Sequence, residues 1–339
     1  MTTIYDVAQR AGVSSSTVSR VFNNSATISQ ATRERVLAAA RELDYQPTVL
    51  GSALTTKQTH MVGLTITDIR NPYSASLARG VQDTLTQAGY VCIICNTDAD
   101  PEREAHVLRE IRRRGVDGFI ITPSFSGRNP EADRYIRQLL AHRVPIAFVG
   151  NRLDDANVDY VTSRAQDGAV QAVNHLAELG HRAIGFIGGR YSRGVAVGRW
   201  LGYQEAMIAN HLPIQPELMS ESDTTPEGGQ QAMQRMLELS GPPTAVLAVN
   251  DLVAIGAMAA CHQRGVAIPG HLSVVGFDDI AMAALTIPAL TTVAQPAYEM
   301  GAKAAEMLRL RFQQPDLPPQ QALLRSSLVV RQSTAPPRG

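Results

Sequence analysis

The run Tyr5-Asp-Val-Ala-Gln-Arg-Ala-Gly-Val-Ser-Ser-Ser-Thr-Val-Ser-Arg-Val-Phe-Asn23 governs the reading of this chain. Val7, Ala8 and Ala11 recur at helical spacing. Thr3-Ile-Tyr-Asp6 just ahead has the form of a capping box, in which a hydroxyl and a carboxylate three residues apart each satisfy an amide that the helix start leaves bare. Gly12 breaks this first helix and supplies a turn. Ser14 is a natural N-cap for a second helix with the apolar face Val18, Val21 and Phe22, which Asn23-Asn24-Ser25 ends. A helix, a glycine turn and a second helix opening on small hydroxyl residues form a helix-turn-helix pattern. The second helix of such a pattern enters the major groove by its N-terminal turn, where exposed N–H groups also favour phosphate. A small polar face is not what a helix needs for packing alone, so the pattern points to DNA.

Working outward, Ser29 caps a third helix whose predicted core face is Val36, Leu37, Ala40 and Leu43. Gln46-Pro47 closes the module, because Pro disfavours helix in the residue before it. From Met61 the texture changes. Predicted strands at 61–67, 90–96, 118–122, 145–149, 183–188, 244–249 and 272–277 alternate with amphipathic helices at 75–89, 102–114, 131–143, 165–180, 199–211, 227–240 and 252–265. Apolar strands separated by helices imply a parallel sheet covered on both faces. The array is too long for one comfortable doubly wound sheet, so two lobes with a cleft between them are the natural division. The fold class expected is α/β: an N-terminal all-α helix-turn-helix domain and a two-lobed sensor of doubly wound parallel sheets.

Bulk properties agree. A chain of 339 residues suggests about two to three compact units. Hydrophobic content of 44% and charged content of 18% are those of a soluble globular protein. The formal net charge is +0, but residues 1–57 carry six basic side chains against four acidic ones, leaving the remainder with a deficit of two. A slightly basic module on a slightly acidic body fits DNA contact at one end. The 3 cysteines provide no disulfide framework. Cys92 and Cys95 are spaced C-x-x-C but sit in the apolar run 90–95, where strand geometry sends i and i+3 to opposite faces, so buried core is expected rather than a metal or redox pair. The N-terminus lacks a basic and an apolar signal region, and no stretch approaches the roughly 18 apolar residues of a membrane span. A cytoplasmic location, nucleoid-associated on operator DNA, without membrane contact is expected.

The helix-turn-helix stretch resembles the lactose-repressor/galactose-repressor family of bacterial transcriptional regulators. The likeness extends through 33–47, Asn71-Pro-Tyr73, 180–185, 199–203, Asn250-Asp251, Ile268-Pro269, 273–279 and 290–296, in order along nearly the whole chain. The resemblance implies a two-lobed periplasmic-binding-protein-like sensor and a repressor that reads pseudo-palindromic operator DNA as a homodimer, its affinity set by a small-molecule effector. It implies the domains 1–46 (DNA binding), 47–59 (hinge helix), 60–331 (effector binding; N-lobe about 60–160 and 291–320, C-lobe about 161–290 and 321–331) and 332–339, a frayed Pro-rich tail. Matched to the family, Ser15 and Ser16 face base edges, Arg20 reaches bases or phosphate, and Tyr5, Thr17 and Ser19 position the helix on phosphates. Leu54 matches a hinge residue that wedges into the minor groove. Gly51 and Ser52 depart from the Ala-rich hinge, and Gly costs a helix about 1 kcal/mol relative to Ala.

In the sensor, Asp278, Asn250 and Asn71-Pro-Tyr73 follow predicted strands and Arg199 opens a helix, all at the carboxyl ends where ligands of such sheets bind. The resemblance assigns Arg199, Asp278 and Asn250 to ligand hydroxyls or polar edges, Tyr73 and Phe125 to stacking, and Ser124 and Arg193 to the pocket. Purine-sensing members place aromatic residues where this chain has Ser74 and Thr224, so a sugar or sugar derivative is favoured over a purine. Trp200 is expected in the core. No nucleophile motif, metal-spaced histidines, phosphate loop or complete dinucleotide fingerprint is present, so neither an enzyme nor a cofactor is expected. The chain also ends without an apolar heptad helix, which favours a dimer over a tetramer. A solute-binding protein would share the two-lobed body but not residues 1–57.

Overall fold

The computed structural model describes residues 2–22, 27–46, 58–123, 130–150, 157–188 and 196–338. It divides into two compact units, Met1–Met61 with Gly115–Asp117, and the remainder.

In the first unit the helices are α1 (Ile4–Ala11), α2 (Ser15–Phe22) and α3 (Gln30–Glu42). The Thr3 amide donates to Asp6 at 2.7 Å, and the Asp6 amide donates weakly back to the Thr3 hydroxyl at 3.4 Å. The Thr3 amide, followed by its hydroxyl, holds the Asp6 carboxyl below its ordinary pKa. Gly12 takes the left-handed conformation, φ 66°, and its amide reaches the Ala8 and Gln9 carbonyls. Val7, Ala8, Ala11, Val18, Val21, Val36, Ala39 and Ala40 make the core. Leu37, expected inside, is exposed, and Ala39 packs instead. A helix face running from Val36 takes i+3, i+4 and i+7, and Leu37 lies about 100° round from it.

The second unit has two six-stranded sheets. The strands are β1 (Met61–Ile66), β2 (Val91–Asn96), β3 (Gly118–Ile121), β4 (Ile146–Val149), β5 (Asp159–Ser163), β6 (Ile184–Gly188), β7 (Met219–Glu221), β8 (Ala245–Ala248), β9 (Ser273–Asp278), β10 (Thr291–Ala294), β11 (Gln321–Leu324) and β12 (Ser327–Val329). The first sheet runs β2-β1-β3-β4-β5-β11 and the second β7-β6-β8-β9-β10-β12. The described pairings are parallel except β10 with β12. The order 2-1-3-4-5 recurs in both lobes. It places a topological switch between β1 and β3 in one and between β6 and β8 in the other. The helices are α4 (Pro72–Gln87), α5 (Pro101–Arg113), α6 (Pro130–Ala141), α7 (Ala165–Glu178), α8 (Ala196–Ala209), α9 (Pro226–Leu237), α10 (Asp251–Gln263) and α11 (Ala297–Gln313).

The chain passes between sheets after β5, after β10 and between β11 and β12. This shifts the expected lobe boundaries: Thr291–Ala294 pairs in the second sheet and Gln321–Leu324 in the first, because each crossing follows a strand instead of preceding it. The tail is not frayed. The Val274 amide donates to the Ser333 carbonyl at 2.9 Å, and the Ala335 carbonyl lies 2.9 Å from Nε2 of buried His181. Burial pushes the His181 pKa down. Cys92 and Cys95 are half-buried on edge strand β2, and Cys92 packs against the first-lobe core. Val91 on that strand is 62% exposed, and burial pushes the Cys92 thiol up to about 12.

Helices α4 and α11 lie against each other on one face of the first sheet and cross without side chains between them. A Cβ on Gly80 would stand 2.0 Å from the Tyr298 carbonyl oxygen, and one on Gly301 2.1 Å from that of Leu77. Backbone on both sides leaves nothing to rotate away. Gly301→Ala is expected to destabilise the protein by about 1–3 kcal/mol, read as a lower urea midpoint at unchanged slope. An unchanged midpoint would show that the helices can separate freely.

Candidate functional site

In the first unit, Ser14 organises the opening of α2. Its hydroxyl accepts from the Thr17 amide at 3.2 Å and lies 2.8 Å from the Ser16 hydroxyl and 2.9 Å from that of Thr17. Ser14, not among the expected contact residues, therefore holds two of them. Ser16 and Arg20 are exposed and four residues apart, so they share a face of α2; Ser15, Thr17 and Ser19 are half-buried. Tyr5, 72% exposed, presents its ring from α1. These groups offer hydroxyls, one guanidinium and the bare amides of a helix start, which suits base edges and phosphates. Leu54 lies outside the described residues.

In the second unit, Arg199 and Asp278 form a buried ion pair at 2.9 Å, their side chains 6% and 3% exposed. Arg199 Nη1 donates to the Val249 carbonyl, and the guanidinium lies over the Phe277 ring, 4.2 Å from its centroid. Its Nε–H has no partner among the described residues. Asp278 Oδ1 also accepts from Gln295 Nε2 at 2.7 Å. Burial pushes the Asp278 carboxyl up, and the Arg199 charge pulls it back. Asp278 and Asp279 both have positive φ, 111° and 56°, a costly conformation for two successive non-glycine residues. An ion pair from Asp279 to Arg331 at 2.6 Å helps to hold it.

Asn71 and Tyr73 approach from the other lobe. Asn71 caps α4 by accepting from the Tyr73 amide at 3.0 Å, and its side chain also reaches Asp278. The Tyr73 ring packs against the apolar cores of both lobes. Its hydroxyl donates to Met300 Sδ at 3.6 Å, and burial pushes the phenol above its ordinary range. Asn250 faces inward as a cap: Oδ1 accepts from the Val253 amide at 2.8 Å and Nδ2 donates to the Thr224 carbonyl at 3.2 Å. Ser74 is buried on α4 and Thr224 is exposed. Trp200 stacks on Tyr203 at 5.4 Å and meets Phe186 edge-on, a packing role. Ser124, Phe125 and Arg193 lie outside the described residues.

The structure thus brings Asn71, Tyr73, Arg199 and Asp278 to one junction between the lobes, whereas Asn250 is spent within the second lobe. Sequence reasoning missed Gln295, which sits on a crossing segment and also accepts from the Ser163 hydroxyl on another. A glutamine before Pro296, at the end of a strand, was the available signal. Two threonines of the first lobe lie near the carboxyl ends of β1 and β3. The Thr122 hydroxyl, just past β3, donates to the Thr65 carbonyl at 2.8 Å, and the buried Thr65 hydroxyl is unpartnered among the described residues.

Breaking the buried pair from one side leaves a charge stranded in low dielectric. Arg199→Met is expected to cost about 3–5 kcal/mol in urea unfolding, while Arg199→Met with Asp278→Leu recovers most of it. Equal losses in the single and double variants would mean that the pair is not the source of the cost.

Comparisons with known proteins place this arrangement. Residues 3–48 match the model for bacterial regulatory proteins of the lacI family, and residues 173–334 match the periplasmic binding protein-like domain. The HTH-type transcriptional regulator DegA of Bacillus subtilis (strain 168) is 35% identical over 335 residues, 99% of this chain and 98% of its own. The ribose operon repressor of Halalkalibacterium halodurans is 35% identical, covering 98% of this chain and 97% of its own. The lac repressor dimer bound to operator and the anti-inducer ONPF superposes with a TM-score of 0.86 at 30% identity, over 98% of this chain and 99% of its own.

Proposed function

This chain belongs to the lacI family of bacterial regulatory proteins and is a DNA-binding transcriptional regulator, not an enzyme; on that premise we propose that it is a cytoplasmic repressor whose operator affinity is set by a sugar or sugar derivative bound between the two lobes. The observation that carries the effector reading is the Arg199–Asp278 pair at the strand ends of the second sheet, opposite Asn71 and Tyr73 of the first lobe. A guanidinium and a carboxylate side by side suit adjacent hydroxyls, each of which both donates and accepts. Among the described residues the Arg199 Nε–H has no partner, which leaves it for such a ligand. A flat purine would need aromatic walls, and Ser74 and Thr224 supply none. The relative named for ribose supports the same class.

Two copies read two half-sites of a pseudo-palindromic operator, so the active species is a homodimer. The apolar side chains of Val91 and Ile94 on β2, and of Leu285 and the 97% exposed Ile287 in the second lobe, supply faces for the second copy. The effector favours one lobe arrangement, which shifts the population competent for operator DNA. Leu54, the expected minor-groove wedge of the hinge 47–59, lies outside the described residues.

Thermal unfolding against a panel of sugars, sugar phosphates and purines tests the effector reading. A ligand at about 100 times its Kd stabilises by roughly 2.7 kcal/mol. A sugar is expected to raise Tm; a response to purines alone overturns the assignment. DNA reading is tested on the half-site that the wild type enriches from a random library. Arg20→Ala is expected to weaken binding there by about 1–3 kcal/mol, with discrimination relaxed at one base pair. A uniform loss across sequences would place Arg20 on phosphate instead.

A further inference from the structure

Asp251 opens α10 with its side chain wholly buried. Among the described residues it makes no ion pair with a cation. Oδ2 accepts from the Ile280 amide at 2.8 Å, just past β9, and Oδ1 accepts from the Thr292 hydroxyl on β10. The carboxyl is seated against β9 itself: a Cβ on Gly276 would stand 2.1 Å from Oδ1. Asp251 thus joins a helix start to two neighbouring strands. It does so two residues beyond Asp278, where the chain holds successive left-handed conformations.

Such a backbone persists only where its surroundings over-determine it. Contacts along its length do so: Asp251 on the Ile280 amide, Arg331 on Asp279, and Gln295, Arg199 and Asn71 on Asp278. We propose that Asp251 is a positioning residue for the cleft, holding the end of β9 so that Asp278 is presented to the ligand, and that its proton is linked to what Asp278 binds. This rests on the reading of the interlobe junction as an effector site.

The charged groups around this carboxyl are Asp278 and Asp279 from the end of β9, Arg199 from α8, which pairs with Asp278, and Arg331, which pairs with Asp279. Neither cation bonds to Asp251 itself. Burial, followed by the neighbouring Asp278 charge, pushes the Asp251 acid up to about 7. The neutral acid can donate to the Thr292 hydroxyl and accept from the Ile280 amide, leaving the attachment intact. Ionisation adds a second negative charge beside Asp278 and raises the proton affinity of Asp278 in turn, so the two titrate as a pair. Linkage is reciprocal: a ligand that needs Asp278 charged binds best while Asp251 is neutral, below about pH 7.

The test uses the full-length protein and needs no ligand for its decisive arm. Asp251→Asn mimics the neutral acid. The folded-state pKa of Asp251 is raised, so its stabilising contribution is present at low pH and is lost as pH rises through about 7. Urea unfolding from pH 5 to 9 is expected to show Asp251→Asn gaining on the wild type as pH rises to about 7 and levelling off above it, which sets the midpoint. With Asp278→Asn in both proteins, the midpoint is expected to move down towards the ordinary carboxylate range. A gap independent of pH, or a midpoint that Asp278→Asn leaves in place, overturns the proposal.

In a second arm, D-ribose is expected to bind the wild type several-fold more weakly at pH 8 than at pH 6, and Asp251→Asn equally at both. A ribose affinity that varies with pH alike in both proteins counts against the linkage. If hypoxanthine binds the wild type and D-ribose does not, the sugar reading fails on its own, and the unfolding arm still decides the proton linkage between Asp251 and Asp278.

Discussion

A guanidinium taken out of water must be paired and hydrogen-bonded, and the way Arg199 is satisfied organises much of the second lobe. One nitrogen is held by the Val249 carbonyl at the end of β8, another by Asp278 at the end of β9, and the plane rests on Phe277. Those contacts fix α8, β8 and β9 relative to one another at their carboxyl ends. The remaining Nε–H is buried and has no partner among the described residues. Structure and site are therefore the same set of atoms. The core of this lobe is terminated by the charges that a ligand would address.

How much of this was legible in the sequence depends on how each element buries its surface. The three helices of the first unit follow from caps and spacing, because Thr3, Gly12, Ser14 and Ser29 each solve a local backbone problem. The strands β1, β3, β4, β6, β8 and β9 are covered on both faces and read as apolar runs. Those missed are short or at edges. β11, Gln-Ala-Leu-Leu, alternates between exposed and half-buried, and β7 and β12 have three residues each. β5 is half polar because Asp159 is buried to receive Arg311 at 2.8 Å, a long-range requirement that no local pattern carries. The missed crossings and the docked tail share that cause. Ser333 and Ala335 are ordinary residues whose bonds go to Thr291, Val274 and Ser273, far away in sequence.

For the candidate site, the residues that the structure does bring together are those whose type and position at a strand end suffice: Asp278, Arg199 and the Asn71-Pro-Tyr73 turn. What could not be read was which polar groups are already spent. Asn250 has the right place for a ligand residue, yet its oxygen caps α10 and its amide is bound to Thr224. Asp251 beside it has no free direction at all, and matters because of what it holds. Adjacent residues of similar chemistry thus divide into cap and fastener through geometry that only the packed structure supplies.

The packing also says where movement can occur. Gly80 and Gly301 bring two helices of the first lobe into backbone contact, and Gly229 and Gly256 do the same for α9 and α10 in the second. Close-packed backbone does not deform continuously, so these helix pairs are held as units, and the three crossings are where the chain passes from one lobe to the other. Gln295 sits on one crossing and accepts from Ser163 on a second, while the Arg164 amide beside it donates to Leu324 on the third at 2.9 Å. The same glutamine donates to Asp278. On the proposed reading, a ligand competing for that carboxylate would perturb a group already bonded to segments that join the lobes, so one short chain of hydrogen bonds would link the binding of that ligand to the crossings.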